Sequence, residues 1–171
     1  MLLREGADKD LRKLSATAGF ALLLFCAFLA HVQAIDITSA GAWNETIDAS
    51  DLIAGAGSGL IDTYESANIL ILSIANCLDD TDNWRVDVKR ADVVWHGDLF
   101  LSVRRTSDGT GSGTIAGGLS YIPVDAMDTA FFSGAGDRSN INLQFKLSGI
   151  SLNLPPDIYS TVVVYTVIDT V

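Results

Sequence analysis

The stretch INLQFKLS, residues 141–148, decides the fold, because its apolar and polar side chains alternate at every position. An extended strand with this pattern places all its apolar side chains on one face. The same alternation occurs in residues 84–89, where Trp84, Val86 and Val88 share a face, and in residues 99–104. No segment shows sustained helical periodicity, so the sequence predicts an all-β protein.

Turns rich in glycine, aspartate and serine separate these strands, and they cover residues 79–83, 107–113 and 133–140. The turn at 107–113 is interpreted as a hairpin connection. Further strands are predicted at residues 35–38, 45–47, 69–74, 120–124, 152–154 and 159–168. Pro123 places its strand at a sheet edge, because proline lacks a backbone N–H. About seven to nine short strands predict a single immunoglobulin-like antiparallel β-sandwich.

The N-terminal segment has the features of an export signal. Basic residues precede an apolar run, AGFALLLFCAFLA at residues 18–30. This run is shorter than the ~20 residues of a membrane-spanning helix and suits a signal-peptide core followed by a cleavage site at 32–34. We expect a signal peptide over residues 1–34 and a β-sandwich domain over residues 35–171 that does not insert stably in a membrane. A pilin-type leader cut between Gly19 and Phe20, and an uncleaved anchor, are the alternatives.

The expected destination is the cell surface or the extracellular medium, with periplasmic transit if the host has two membranes. The chain has 21 acidic and 11 basic residues, a net charge of −10. This charge argues against nucleic acid as a partner, because phosphate backbones are bound by an excess of lysine and arginine. Only Cys77 follows residue 34, so an intrachain disulfide is excluded in the mature chain, and the thiol is expected to pack as a small hydrophobic group.

Residues suited to catalysis are scarce. His96 is the only histidine after residue 34, and no Gly-x-Ser-x-Gly motif exposes a serine nucleophile. The surroundings of Cys77 and His96 do not resemble a thiol hydrolase. We therefore predict no enzymatic activity, no catalytic residues and no cofactor, with His96 a local hydrogen-bond partner in a turn.

Two sets of residues are candidates for ligand binding. Four oxygen-bearing side chains in one turn could hold a structural Ca²⁺ ion, namely Asp79, Asp80, Asp82 and Asn83. The alternative is a solvated turn whose carboxylates accept local hydrogen bonds. Trp43 and Trp95 are candidates for stacking on a sugar, whereas Trp84 is assigned to the core. Asn44 begins a glycosylation sequon, which matters only in a host that glycosylates.

The two terminal strands are the strongest functional signal. Residues 162–168 contain no charge, proline or glycine, so on an open sheet edge they would recruit another chain. The alternative is a central, buried strand. Residues 35–38 precede a small-residue hinge and could add a strand to a neighbour, or form an ordinary first strand. The predicted assembly residues are Ile35, Ile37, Val162, Val164, Tyr165 and Val167.

The C-terminal stretch PPDIYSTVVV, residues 155–164, follows an exported leader and an acidic body rich in Gly, Ser, Thr and Asp. It resembles secreted bacterial fibre subunits of the spore-coat-protein-U and chaperone–usher pilin families, which often end in a Pro/Gly turn and a Tyr-led strand. Members typically carry a disulfide, and this chain departs from them there. The resemblance implies a sandwich completed by a strand from the next subunit, a homopolymer and an assembly chaperone. Within it, residues 157–159 resemble a tyrosine corner.

Together these patterns predict a non-enzymatic secreted structural protein, self-assembling into an extracellular fibre or surface layer by strand addition. The alternative function is a monomeric extracellular module that binds carbohydrate or another surface.

Overall fold

Ten β-strands and one short 3₁₀ helix form the regular structure of residues 34–67 and 70–170, the part of the chain that the computed structural model describes. The strands are β1 (Asp36–Ala40), β2 (Tyr64–Glu65), β3 (Leu70–Ala75), β4 (Asn83–Val94), β5 (Phe100–Arg105), β6 (Ile115–Gly117), β7 (Ile122–Pro123), β8 (Thr129–Ala135), β9 (Arg138–Ser148) and β10 (Ser160–Asp169). The 3₁₀ helix covers Ala49–Asp51 and is capped by Asp48.

The strands form two sheets that pack face to face. The large sheet has the order β1-β3-β9-β5-β7, with β2 also paired to β9, and the small sheet has the order β10-β4-β8-β6. Every pairing between strands is antiparallel. The predicted all-β antiparallel sandwich is confirmed. Strand β7 ends the large sheet, as Pro123 predicted.

The core lies between the sheets and consists of the apolar faces that the alternation predicted. On β4, Trp84, Val86 and Val88 are fully buried, and on β9 Ile141 and Leu143 are fully buried. The indole N–H of Trp84 donates to the carbonyl of Gly136 at 2.9 Å, so the largest core side chain keeps its polar atom paired. The ring also meets Phe132 edge to face. Period-two patterning therefore located the core correctly.

Four local predictions are wrong. The turn predicted over residues 133–140 is limited to residues 136–137, because β8 extends to Ala135 and β9 begins at Arg138. Residues 45–47 and 152–154 form no strand. Residues 107–113 do not close a hairpin, because they lead from β5 in the large sheet to β6 in the small sheet. In this connection Gly109, Gly111 and Gly113 face backbone atoms of residues 135–139, where no Cβ fits. The glycines thus serve close packing against the β8–β9 hairpin.

The same connection is held by a buried cation. Arg105 is only 3% exposed and donates to the carbonyl of Gly117 from Nε at 3.1 Å and from Nη2 at 2.8 Å. Its Nη1 donates to the carbonyl of Ser107 at 3.0 Å and to the carboxylate of Asp108. Because its donors are spread over three partners, Arg105 fixes the path of the chain from β5 to β6.

The predicted signal peptide over residues 1–34 lies outside the described residues, apart from Ala34. Within the part of the chain that is described, there is no helix with the length and apolar character needed to cross a membrane.

Candidate assembly edge

Strand β10 is an edge strand of the small sheet. It is ten residues long, and β4 is its only partner strand among the described residues, from Asp169 opposite Trp84 to Thr161 opposite Asp92. The alternative interpretation of residues 162–168 as a central strand is therefore wrong. Because the strand is bonded on one side only, half of its backbone groups point away from the sheet.

The register identifies the outward-pointing groups. Just beyond the strand, the N–H of Thr170 donates to the carbonyl of Asn83 at 3.0 Å, so these two residues face each other as a hydrogen-bonded pair. Hydrogen-bonded and non-hydrogen-bonded pairs alternate along an antiparallel ladder. The even-numbered residues of β10 therefore bond to β4. The outward N–H and C=O groups belong to Thr161, Val163, Tyr165, Val167 and Asp169.

The side chains of β10 divide between two faces. Val163, Tyr165 and Val167 pack against the core. Val162, on the opposite face of the strand, is 55% exposed. Asp169 is the only charged residue in the strand, and its only register irregularity lies at its start, between Ser160 and Thr161. The edge thus lacks the lysines, prolines and central bulges that usually prevent edge pairing.

Strand β1 lies beside β10, at the edge of the large sheet. It pairs with β3 from Asp36 opposite Ala75 to Ala40 opposite Ile71. The side chains of Ile35 and Ile37 pack against the core. The fold therefore brings the predicted assembly residues of both terminal strands to one side of the sandwich, which we call the open side.

Tyr165, at the middle of β10, has an unusual environment. Its hydroxyl oxygen is buried and has no hydrogen-bond partner among the described residues. Burial raises the pKa of the phenol above its ordinary value, because the phenolate would be poorly solvated there. The phenol therefore remains protonated at neutral pH.

The two tryptophans proposed for sugar stacking are engaged within the fold. Trp43 stacks on Phe145 with ring centroids 6.4 Å apart and donates its indole N–H to Glu45 at 3.2 Å. Trp95 donates to the carbonyl of Leu99 at 3.1 Å, and the guanidinium of Arg90 lies 4.9 Å from its ring centroid. Packing and hydrogen bonding account for both residues.

The aspartates of the acidic turn accept hydrogen bonds from groups within the fold. Asp79 accepts from the N–H and hydroxyl of Thr81, and these bonds lower the pKa of its carboxyl. Asp82 accepts from the N–H of Leu78 at 2.7 Å, and Asp80 accepts from the hydroxyl of Ser112. Asn83 opens β4. Among the described residues no three His, Cys, Asp or Glu side chains are grouped to hold a metal, and we propose no calcium site.

The remaining predicted residues have structural surroundings. His96 accepts at Nδ1 from the N–H of Asp98 at 3.3 Å, which confirms its assignment as a local hydrogen-bond partner.

Cys77 is half-buried against the core, and burial, together with nearby Asp137, raises the pKa of its thiol to about 12. The hydroxyl of Tyr159 donates to the carbonyl of Pro155 at 2.6 Å, the hydrogen bond expected of a tyrosine corner.

One cluster, on the outer face of the large sheet, was not predicted from the sequence. The Arg104 guanidinium and the Lys146 ammonium lie 4.7 Å and 4.3 Å from the ring centroid of Tyr121. Arg104 also donates to the side chain of Gln144. The polar positions of residues 99–104 and 141–148 were the available signal, but pairing them required knowing that β5 and β9 are neighbours.

Comparisons with known proteins identify no relative. The chain matches no family model, and neither the curated proteins nor the solved structures include one that is similar to it.

Proposed function

We propose that this chain is a non-enzymatic, secreted structural protein whose copies assemble by strand addition at the open side. One observation carries the proposal, namely that the longest uncharged β segment of the chain lies at a sheet edge with its outward backbone groups unpaired in the described structure. Such an edge is a template for another strand.

Backbone hydrogen bonds would supply much of the association energy. Each hydrogen bond formed on association contributes a net ~0.5–1.5 kcal/mol, and a strand of this length offers several. Outward-facing valines next to the edge add apolar area that a neighbouring strand would cover. Strand addition also needs no charged contact, which suits a chain with a net charge of −10. The resemblance of residues 155–164 to fibre subunits is consistent with this proposal, and the assembly chaperone that the resemblance implies is part of it.

Strand β1 takes part by exchange between copies. Its five residues pair with β3 of the same chain. Release of this short strand at the small residues Ser39–Ala42 would free it to pair with β3 of a neighbour, an exchange of identical elements between copies. A head-to-tail series of such exchanges would give an open polymer.

The test uses purified residues 35–171 at several protein concentrations, with mass from light scattering and shape from negative-stain electron microscopy. We expect assemblies larger than a monomer, and regular particles or filaments in the images. Deletion of residues 35–38 distinguishes the role of β1 from that of β10. If the deletion removes polymers but leaves dimers, the polymer contact is assigned to β1. A monomer at every concentration would overturn the proposed function.

A further inference from the structure

We propose that the strand added to β10 is β10 of a second copy, antiparallel and centred on Tyr165, so that the four-stranded small sheets of two copies join into one continuous sheet. This inference rests on the proposed function and specifies its partner and register.

A strand that pairs antiparallel with its own copy lies on a two-fold axis, so both copies use the same residues. The outward backbone groups of β10 belong to residues 161, 163, 165, 167 and 169, a set that is symmetric about Tyr165. An axis at Tyr165 therefore pairs each Tyr165 with its equivalent, Val163 with Val167, and Thr161 with Asp169. Each pair exchanges two hydrogen bonds, which gives about ten across the contact.

Other registers use the edge less completely. An axis at Val164 or at Thr166 leaves one outward residue of each strand without a partner inside β10. A register displaced by one residue is excluded. It would place the outward N–H and C=O groups of one copy opposite residues of the second copy whose N–H and C=O groups are already bonded to β4. The axis at Tyr165 is the one register that uses all five outward residues.

The side chains agree with this register. On the outer face it places Val162 opposite Ile168, and Val164 opposite Thr166, of the second copy. Cross-strand pairs of β-branched residues of this kind stabilise a sheet. On the inner face the two Tyr165 rings become direct neighbours.

The lack of charge along β10 makes this edge suitable for contact between copies. Two chains with a net charge of −10 repel each other, but residues 160–168 carry no charge. In the proposed register the two Asp169 residues lie eight positions apart along the ladder, about 27 Å, which is well beyond the screening length of ~8 Å at physiological salt. The nearest carboxylate at the Thr161 end is Asp92, which is paired with Arg90 at 2.8 Å.

The register can be tested by disulfide trapping in residues 35–171 carrying Cys77→Ser. Val164→Cys and Thr166→Cys are placed in separate chains, one with an affinity tag, then mixed and oxidised. The proposed register places these two positions in a non-hydrogen-bonded pair with Cα atoms about 4.5 Å apart, within disulfide range. We expect the mixed dimer to exceed either homodimer at least tenfold.

The matched control replaces Thr166→Cys by Val162→Cys in the same mixture. In the proposed register residue 162 lies four positions from the partner of residue 164, about 14 Å along the ladder, and should not be trapped. Trapped Val164→Cys homodimers would place the axis at Val164 and overturn the register. Equal trapping in test and control mixtures would overturn the β10 contact.

Two further variants test the contact without a new cysteine. Val163→Pro removes an outward N–H and keeps the bonds of β10 to β4, and Thr166→Lys introduces a charge at an exposed position. Each should weaken association at least tenfold in light scattering, and Thr166→Lys should melt within a few degrees of the parent. Unchanged association of folded Thr166→Lys and of Val163→Pro contradicts this inference. If assemblies form but the cysteine pairs of β10 are not trapped as disulfides, this inference fails and the proposed function stands. If the protein is a monomer at every concentration, both the inference and the proposed function are overturned.

Discussion

The two edges of each sheet differ in how well they are protected. At one edge the strands are very short, with two residues in β7 and three in β6. Pro123 removes a donor from β7, and Arg105 occupies the carbonyl of Gly117 in β6 with two hydrogen bonds. At the other edge, β1 and β10 have five and ten residues, and the described structure shows no comparable protection.

This difference bears on function because unprotected edges are normally selected against. The chain protects its other edges with short strands, proline and a buried arginine. The absence of such devices along the uncharged part of β10 is therefore a local property of the open side. We infer that the open side is kept available for another strand.

The largest expected effect comes from breaking the protected edge. Arg105→Ala removes a buried side chain and leaves the carbonyls of Gly117 and Ser107 without their donors, so it should lower the free energy of unfolding by about 2–4 kcal/mol. Urea denaturation followed by circular dichroism measures this change. Arg105→Lys is the control, because it keeps the charge but has a single nitrogen in place of the three that donate from Arg105, and its stability should fall between those of Arg105→Ala and the parent. A loss below about 0.5 kcal/mol in Arg105→Ala would show that the stability of this edge does not depend on the hydrogen bonds of Arg105.

A smaller effect is expected where the protected edge meets the core. A Cβ added at Gly134, which pairs with Ile115 of β6, would lie 2.5 Å from the Trp84 ring. Gly134→Ala should therefore cost about 1–3 kcal/mol of stability through overpacking. Gly97→Ala is the matched control, since a Cβ there meets nothing within 4 Å. Equal stability of the two variants would contradict the close packing of Trp84 on β8.

Much of this fold could be predicted from the sequence, because a strand that is buried on one face has apolar and polar residues at alternating positions. The alternation of β4, β5 and β9 identified the core, and Pro123 identified an edge. Sheet order is not encoded in such periodicity, so the position of β10 at an edge could not be derived from residues 159–168. Their even hydrophobicity also suits a central strand, and only the pairing partners distinguish the two.

Loops were predicted less well, for related physical reasons. The glycines at 107–113 suggested a flexible turn, but each lies where another backbone comes too close for a Cβ, a tertiary contact that composition does not reveal. The tyrosine corner was predictable because its hydrogen bond spans only residues 155–159. Local interactions leave local signals, and the open side depends on contacts between residues far apart in the chain.

The smallest expected effect on stability comes from removing a tyrosine hydroxyl, either from Tyr165 on the open side or from Tyr159 outside the strands. Tyr165→Phe removes a buried hydroxyl that has no partner among the described residues, so stability at neutral pH should stay within about 0.5 kcal/mol of the parent or rise. Tyr159→Phe removes the 2.6 Å hydrogen bond to Pro155 and should cost about 1 kcal/mol.

Alkaline pH should make Tyr165→Phe more stable relative to the parent than it is at neutral pH. Burial raises the pKa of Tyr165 in the folded chain above the ordinary value of 10.0, so the unfolded chain loses this proton first as the pH rises. The contribution of the phenol is complete below pH 10 and is lost progressively above it. Urea denaturation at pH 7 and at pH 11 should therefore show a smaller alkaline loss in Tyr165→Phe than in the parent. Equal alkaline losses would mean that the phenol is solvated, and β10 would then be less firmly packed on the core than the buried ring requires.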